Sequence, residues 1–233
     1  IFLKVMNSLS TLFSEVKYLK NASIIKIFRS KKHTVALIEN EENHFVLKWY
    51  KQGFKESFLQ ECTVLKERNT LFLKPGLVSM NNDYQFLVLE YIPSENICDL
   101  INDPTTQIQD KLSCITHLAS WFYQFHNYYQ QQSKPLIHGD ANLRNFIISQ
   151  NKNVFGLDFE ESKPGNVNED IAFLCASILT TNPTFTKQKH QLQRQFVNTY
   201  EKLINHKLED IDVHIDQAVV TINERRRKNL KKD

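Results

Sequence analysis

The sequence contains little of the glycine and proline that are abundant in disordered chains, and it lacks the long apolar runs of membrane-spanning ones. It has only five glycines and six prolines among 233 residues, while 41% of the residues are hydrophobic, so a folded chain with a sizeable core is expected. No apolar run approaches the roughly 18 residues that cross a bilayer. The opening IFLKVMNSL is too short and interrupted for a signal-peptide core. We therefore expect a cytoplasmic protein that makes no membrane contact.

Cysteine usage and net charge exclude further classes of protein. The four cysteines form no CxxC pair and show no metal-type spacing with histidine, so buried free thiols are expected at Cys62, Cys98, Cys114 and Cys175. The net charge of +3 is too small to indicate a nucleic-acid partner by itself. Much of the basic excess lies in residues 224–233, where a solvated or frayed tail is the simpler interpretation and a polyanion-binding patch is the alternative.

The first part of the chain has the pattern of a β-sheet. β-branched and aromatic runs are separated by polar turns, and they lie at residues 23–28, 34–39, 44–50, 76–80 and 84–92. Residues 55–69 carry apolar side chains at helical spacing, and residues 11–20 are consistent with a short opening helix. This order predicts five strands with one helix inserted between the third and the fourth.

From residue 93 onward the pattern is mostly helical. Apolar side chains recur every three to four residues in segments that we expect to be helices, at residues 109–129, 171–179, 188–204 and 211–224. The predicted fold class is α+β in two lobes. Residues 1–92 form an N-terminal lobe with a five-stranded antiparallel sheet plus one helix, and residues 93–233 form a C-terminal, mostly helical lobe.

The segment LIHGDANLRNFIIS, residues 136–149, places polar groups on a tight loop between apolar runs. Asp140 and Asn145 contribute little to a core there, but they are well suited to holding a hydroxyl and a metal ion. Asp158 ends another apolar run, VFGLD, eighteen residues after Asp140. Taken singly, each of these residues is also explained as an ordinary turn or loop residue.

Two further charged residues lie in apolar surroundings. Lys48 is in the middle of the strand-like run FVLKWY, and Glu61 follows thirteen residues later on the predicted helix. An exposed strand face and a surface helix position are the simpler alternatives. With the loop residues, however, the pair completes a set typical of phosphoryl transfer. In that set Lys48 binds phosphates and Glu61 positions Lys48. Asp140 orients a hydroxyl, and Asn145 and Asp158 hold Mg²⁺.

These motifs resemble those of a known superfamily. HGDANLRN followed by LDFEE resembles the protein-kinase-like superfamily, and His-Gly-Asp in place of His-Arg-Asp is similar to its aminoglycoside phosphotransferase and choline kinase branch. The resemblance implies a two-lobed protein-kinase-like fold with a nucleotide-binding first lobe and a catalytic second lobe. It also implies an enzyme that moves the γ-phosphate of ATP or GTP, with Mg²⁺, to the hydroxyl of a small molecule.

The resemblance assigns further residues. LVLEYI, residues 87–92, is similar to the superfamily's hinge, so backbone groups of Glu90 and Ile92 would bond adenine and Leu89 would border its pocket. GNVNEDIAFL, residues 165–174, resembles the segment whose Asp braces the catalytic loop. It therefore implies a structural role for Asp170, and the same kind of role is expected of His138.

The sequence departs from the superfamily at two places. FRSKKHTV, residues 28–35, has no glycine where a glycine-rich phosphate loop is expected. Either Ser30 and a lysine, Lys31 or Lys32, bind phosphate there, or the segment is an exposed polar hairpin turn. Glu160 replaces the Gly that follows Asp-Phe in protein kinases. Glu160 and Glu161 would help to hold metal or a cationic acceptor, or, as the simpler interpretation, they form a solvated acidic turn. Together with Asp170, these acidic residues favour a cationic acceptor.

Other functions remain open from the sequence. The compact length and the basic end RRRKNLKK are similar to the small atypical kinase of the tRNA-threonylcarbamoylation complex and to RIO kinases. That alternative is a Ser/Thr protein kinase or an RNA-complex-associated ATPase whose tail contacts nucleic acid. A pseudokinase that binds a nucleotide or a partner without turnover is a third possibility. The sequence makes no prediction of the oligomeric state.

Overall fold

The computed structural model describes residue 9 and residues 11–16, 19–28, 30 and 32–230. For residues 229 and 230 only the backbone is described. The chain divides into two compact units. The first contains Ile1–Glu67 and Pro75–Ile92, and the second contains Arg68–Lys74 and Pro93–Asp233.

The first unit is built on an antiparallel sheet of five strands, which lie in the order β1-β2-β3-β5-β4. The strands are β1 (Ser23–Phe28), β2 (Thr34–Asn40), β3 (Asn43–Trp49), β4 (Leu77–Asn81) and β5 (Phe86–Glu90). Helix α1 (Lys55–Lys66) lies between β3 and β4 in the sequence. The predicted five strands with one inserted helix are confirmed. Residues 11–15 are helical within the predicted opening helix, whose positions 17 and 18 lie outside the described residues.

One face of this sheet buries the core of the first unit. Alternate side chains of neighbouring strands, among them Ala36, Ile38, Leu47 and Val88, pack with leucines that precede β1. The alternation follows from the two-residue period of a strand, which sends every second side chain to the same face. The side chains of β5 that alternate with these are also buried, and Leu87 among them is fully inaccessible to solvent.

Over its described residues, the second unit combines five α-helices with short strands. The helices are α2 (Ile97–Asn102), α3 (Ile108–Gln131), α4 (Val167–Thr180), α5 (Lys187–Ile204) and α6 (Ile211–Leu230). β6 (Ser94–Asn96), β8 (Phe146–Ser149) and β9 (Val154–Gly156) form one sheet, and β7 (Leu136–Ile137) pairs with β10 (Lys163–Pro164). The α+β class and the long helices are as predicted. The two- to four-residue strands and α2 were not predicted because they are too short to show a period.

Residues 68–74 belong to the second unit, although the sequence places them within the first predicted lobe. Phe72 lies against the rings of Trp121 and Phe125, with centroid distances of 5.9 and 5.0 Å. The carbonyl oxygen of Leu73 accepts hydrogen bonds from Trp121 Nε1 at 2.7 Å and from the backbone N–H of Gly156 at 3.1 Å. Burial of this aromatic cluster explains the assignment of the segment.

The basic C-terminal segment is helical through Leu230, so of the expected solvated or frayed tail the frayed form is wrong for the described part, while residues 224–228 are exposed as a solvated segment would be. The guanidinium of Arg225 lies 5.0 Å from the ring centroid of Phe173. Arg226 donates from Nη1 to the carbonyl oxygen of Thr180 at 2.7 Å, at the C-terminal end of α4. A cation at that position is favourable because the last carbonyls of a helix carry partial negative charge. Residues 231–233 lie outside the described residues.

The four cysteines are free and buried, as expected from the sequence. Burial raises the pKa of the Cys62 thiol to about 11 and that of Cys114 to about 12, so both stay protonated and unreactive at neutral pH.

Among the described residues, no helix is both long and apolar enough to cross a membrane.

Candidate active site

The loop after β7 holds the carboxylate of Asp140 in one orientation. Its Oδ2 accepts a hydrogen bond from Asn145 Nδ2 at 3.0 Å and another from Asn142 Nδ2 at 3.0 Å. The backbone oxygen of Asp140 accepts a further bond from Asn145 Nδ2 at 2.9 Å. Because side chain and backbone are both fixed, the carboxylate is preorganised for a reaction partner. The structure therefore brings together Asp140 and Asn145, two of the residues that the sequence singled out.

Asn142 takes part in this arrangement, although no such role was predicted for it. Its Oδ1 accepts the backbone N–H of Arg144 at 3.0 Å and caps the short 3-10 turn Leu143–Asn145. The cap fixes the Asn142 side chain, and its Nδ2 is then directed at Asp140. An Asn two positions after an Asp is a common turn signal, so the sequence offered no signal of this second function.

A buried network anchors the start of the loop. Asp170, which is 1% exposed on α4, accepts the backbone N–H of His138 at 2.6 Å and that of Gly139 at 3.0 Å. His126 Nε2 lies 3.0 Å from the same carboxylate, and His126 Nδ1 lies 2.8 Å from the Tyr200 hydroxyl. The bracing role expected of Asp170 is confirmed.

The protonation of Asp170 is set by two opposing effects. Burial alone would raise its pKa, but the hydrogen bond and the charge of His126, with the charge and backbone N–H of His138, hold the pKa of Asp170 below its ordinary value. The carboxylate is therefore ionised at neutral pH. An ionised, fully bonded Asp170 does not face a cationic acceptor, so that expectation is wrong for this residue.

His138 connects the loop to the segment that carries Asp158. Its Nε2 lies 3.0 Å from the carbonyl oxygen of Leu157, and its ring is fully buried between Phe146 and Phe159 at centroid distances of 5.3 and 5.2 Å. A ring in this position supports the loop and is removed from solvent. The loop-bracing role expected for His138 is confirmed.

Asn145 and Asp158 lie on adjacent backbone segments. β8 and β9 pair so that Phe146 is opposite Gly156, and the backbone N–H of Leu157 donates to the carbonyl oxygen of Asn145 at 2.8 Å. Asp158 follows Leu157, beyond the end of β9, and has a left-handed φ of 62°. The register of a two-stranded pairing therefore places the two predicted metal-binding residues at the same end of the hairpin.

The donor atoms at this place suit Mg²⁺. Nδ2 of Asn145 is engaged by Asp140, and its Oδ1 accepts no hydrogen bond from the part of the chain that the structure describes. The carboxylates of Asp158 and Glu160 approach within 4.8 Å of each other. An amide oxygen and carboxylate oxygens are the ligands that Mg²⁺ prefers. The residues present thus fit the predicted ion.

Glu160 is not part of a solvated acidic turn, because only 6% of the residue is exposed. It lies on the 3-10 turn Phe159–Glu161, directly after Asp158. Glu161 is half-buried beside it. A buried carboxylate next to another carboxylate requires a positive partner or a proton. Glu160 is therefore a second candidate ligand for a cation at this site.

In the first unit, Lys48 and Glu61 form a buried ion pair. Lys48 on β3 and Glu61 on α1 are 7% and 2% exposed, and Nζ lies 2.5 Å from Oε2. Both simpler alternatives, an exposed strand lysine and a surface glutamate, are excluded. Tyr50 also donates its hydroxyl to Oε2 of Glu61. This third partner was not predicted.

The predicted adenine-binding residues lie at the end of β5. Leu89 is buried, and Ile92 is half-buried beyond the end of the strand. The backbone N–H of Glu90 donates to the carbonyl oxygen of Gly76 at 2.9 Å, and Oε2 of Glu90 accepts from Gly76 N–H at 3.3 Å. The N–H of Glu90 is thus already used, and its carbonyl oxygen is the remaining backbone candidate for adenine.

The glycine-free segment between β1 and β2 is a polar turn at its described positions. Ser30 and Lys32 are exposed, and Ser30 Oγ accepts the backbone N–H of His33 at 3.3 Å. Lys31, the other predicted phosphate ligand, lies outside the described residues. The phosphate-binding role of this turn stays a prediction.

Comparisons with known proteins agree with the predicted resemblance. The model of the family described as "Phosphotransferase enzyme family" matches residues 117–204, which include the loop and Asp170. No curated protein matches the chain. The match supports phosphotransferase chemistry of the kinase type.

Two solved structures share the fold. One, from Ralstonia eutropha JMP134 and provisionally described as an aminoglycoside phosphotransferase, has a TM-score of 0.64 at 11% identity over 91% of this chain and 84% of that one. The other is the ternary complex of APH(2″)-IIa with streptomycin and ATP. It has a TM-score of 0.63 at 14% identity over 90% of this chain and 86% of that one. The chain therefore shares the fold of these two structures, and residues 117–204 carry the match to the phosphotransferase enzyme family.

Proposed function

We propose that this protein transfers the γ-phosphate of ATP, or of GTP, to a hydroxyl group of a small molecule. The observation that carries the proposal is the fixed carboxylate of Asp140, whose Oδ2 is held by two side-chain amides at 3.0 Å. In this role Asp140 accepts a hydrogen bond from the acceptor hydroxyl and orients its oxygen toward the phosphorus. Positioning of this kind supplies much of the acceleration of phosphoryl transfer.

The metal-binding residues in this proposal are Asn145 and Asp158, with Glu160 as an additional ligand. Asn145 would bind through Oδ1, since its Nδ2 is committed to Asp140. When bound, Mg²⁺ offsets the negative charge that develops on the phosphate oxygens. Meanwhile the hydrogen bond between Leu157 and Asn145 keeps the two ligand-bearing segments together.

The residues of the first unit would bind the nucleotide. Lys48, held by Glu61, supplies a positive charge to the phosphates. The carbonyl oxygen of Glu90 and the backbone of Ile92 would contact adenine, with Leu89 against the base. Ser30 would donate its hydroxyl to a phosphate, because that hydroxyl accepts one hydrogen bond and keeps its proton to donate.

A small-molecule acceptor is supported by the structural neighbours. The complex of APH(2″)-IIa contains both streptomycin, a small molecule, and ATP. Glu161, half-buried beside the candidate metal ligands, would favour a cationic acceptor. The four free, buried thiols agree with a reducing compartment, and we place the protein in the cytoplasm.

The alternatives are decided by the same assay. Radiolabelled γ-phosphate is supplied with Mg²⁺ to the full chain, together with aminoglycosides, amino alcohols, sugars, a generic protein or RNA. Label on one of the small molecules supports the proposal. Label on protein alone would favour the atypical protein kinase, and phosphate release that depends on RNA would favour the RNA-associated ATPase. Nucleotide binding without turnover would favour the pseudokinase.

A further inference from the structure

The turn that lacks glycine ends in a buried histidine. His33, directly before β2, is 5% exposed, although its described neighbours Ser30 and Lys32 are exposed. Its ring lies 4.4 Å from the ring of Tyr50 and 4.9 Å from that of Phe54, the latter edge-on. Side-chain packing therefore holds the end of this turn against the residues that follow β3.

Tyr50 connects this histidine to the buried ion pair. It is 3% exposed, and its hydroxyl donates to Oε2 of Glu61, the same oxygen that Lys48 contacts at 2.5 Å. Nζ of Lys48 also lies 5.0 Å from the centroid of the Tyr50 ring. One carboxylate oxygen thus receives two donors, and the aromatic ring contacts both the ammonium and His33.

From these contacts we propose that Tyr50 is a positioning residue of the nucleotide-binding lysine, and that His33 acts through it. The two residues and Glu61 are named here the aromatic brace. The brace fixes the orientation of Lys48 toward phosphates and anchors the turn before β2. This inference rests on the proposed function, because it assigns the brace to nucleotide binding by Lys48.

The chemistry explains why such a brace suits a turn without glycine. A glycine-rich loop approaches phosphates through its backbone, which side chains at these positions obstruct. The ammonium of Lys48 must then contribute more of the phosphate binding, and a long lysine side chain loses much rotamer freedom when it is held in one place. A carboxylate that is fixed by a second donor reduces the number of positions that the ammonium can take.

The test compares Tyr50→Phe, which removes only the hydroxyl, with His33→Leu, which replaces the ring with an apolar side chain. We expect the Kd of Mg-ATP to rise about fivefold and about threefold, and the double variant to stay near fivefold because both act on one element. The KM for ATP should rise by similar factors, with kcat within about twofold of the wild type.

Ile38→Val is the matched control. Ile38 is fully buried on β2 in the same unit and belongs to the sheet core rather than to the brace. It should lower the urea midpoint of unfolding and leave the Kd of Mg-ATP unchanged. The proposal is overturned if Tyr50→Phe and His33→Leu, like Ile38→Val, leave the Kd of Mg-ATP unchanged. It is also overturned if the effects of the two brace variants on Kd multiply to about fifteenfold, as for independent sites.

A second readout requires no nucleotide. The rate at which an amine-reactive reagent modifies Lys48, followed by mass spectrometry, should rise several-fold in both brace variants and not in Ile38→Val. The exposed Lys55 on α1 serves as the internal reference. A wild-type chain that binds no nucleotide would overturn the proposed function. The labelling would then decide the brace, and an unchanged Lys48 rate would overturn it.

Discussion

Asn145 and Asn142 each place a side-chain amide 3.0 Å from the same oxygen of Asp140. The two contacts are geometrically equal, but only Asn145 is next to the segment of Asp158, through the bond of its carbonyl oxygen with Leu157. Because both amides contact the carboxylate but only Asn145 lies beside the segment of Asp158, alanine variants of the two residues separate support of Asp140 from metal binding.

We expect Asn142→Ala and Asn145→Ala to lower kcat, each by about tenfold or more, because each leaves the Asp140 carboxylate with one fewer donor. Only Asn145→Ala should also raise the Mg²⁺ concentration that gives half-maximal activity, since Oδ1 of Asn145 is the proposed ligand. Steady-state rates across a Mg²⁺ titration measure both effects. An equal shift in both variants would remove Asn145 from metal binding.

The buried carboxylate of Asp170 contributes to stability in a pH-dependent way. Its pKa is lower in the folded chain than in the unfolded one, so its contribution is fully present above about pH 4. That contribution is lost as the pH falls through the lowered pKa, because the folded state must then accept a proton.

Asp170→Asn should therefore reduce the free energy of unfolding by about 3 kcal/mol at pH 7, with a smaller difference at pH 3. Urea denaturation at the two pH values measures this, and the exposed Asp110→Asn on α3 is the control. A difference between wild type and Asp170→Asn that does not change with pH would show that the charge of Asp170 is not the stabilising feature.

Gly139 is required by both its conformation and its surroundings. Its φ is +79°, and a Cβ there would overlap the backbone oxygen of Glu161. Gly53 has a similar φ of +90°, but a Cβ there would meet nothing within 4 Å. Alanine substitutions at Gly53 and Gly139 therefore separate the cost of a left-handed backbone from the cost of steric overlap.

We predict that Gly53→Ala costs about 1 kcal/mol of stability through left-handed strain alone and preserves activity. Gly139→Ala should cost more and should also lower kcat, because the loop that carries Asp140 must shift. Thermal unfolding and initial rates of the two variants check this. A Gly139→Ala variant as active as Gly53→Ala would contradict the strict placement of the loop.

Lys189 is a buried lysine without a role in the proposed reaction. It is 1% exposed on α5, and its ammonium donates to Asn102 and to Thr181. Burial lowers the pKa of Lys189 to about 8. Between that pH and the unfolded pKa near 10.5 the unfolded chain binds more protons, so the wild type gains stability as the pH rises.

Relative to Lys189→Met, the wild type should gain about 1 kcal/mol of unfolding free energy between pH 8.5 and 9.5. Urea denaturation at both pH values measures the gain, and the exposed Lys187→Met is the control that should show none. A constant difference between wild type and Lys189→Met would mean that Lys189 stays charged when buried.

The sequence predicted the long elements and the spaced polar residues well. The strands of the first unit alternate over six or seven residues in β1, β2 and β3, which is long enough to show a period. Lys48 and Glu61 were paired because a cation and an anion in apolar segments each require a partner, and the structure brings them within 2.5 Å.

The side chains that support these residues could not be predicted. Tyr50 and His126 are ordinary members of aromatic-rich segments, and their hydrogen bonds to Glu61 and Asp170 depend on tertiary packing. The grouping of residues 68–74 with the second unit depends on the contact of Phe72 with Trp121, 49 positions further along the chain. No local period or spacing carries that information.

The most direct test of the account is the activity of Asp140→Asn. An Asn at this position keeps the shape of the side chain but lacks the charge that orients a hydroxyl, while Asp216→Asn on the exposed face of α6 is the matched control. We predict that Asp140→Asn binds Mg-ATP with a Kd close to that of the wild type and transfers phosphate at least about a hundredfold more slowly. Transfer by Asp140→Asn at the rate of the wild type and of Asp216→Asn would contradict the assignment of Asp140.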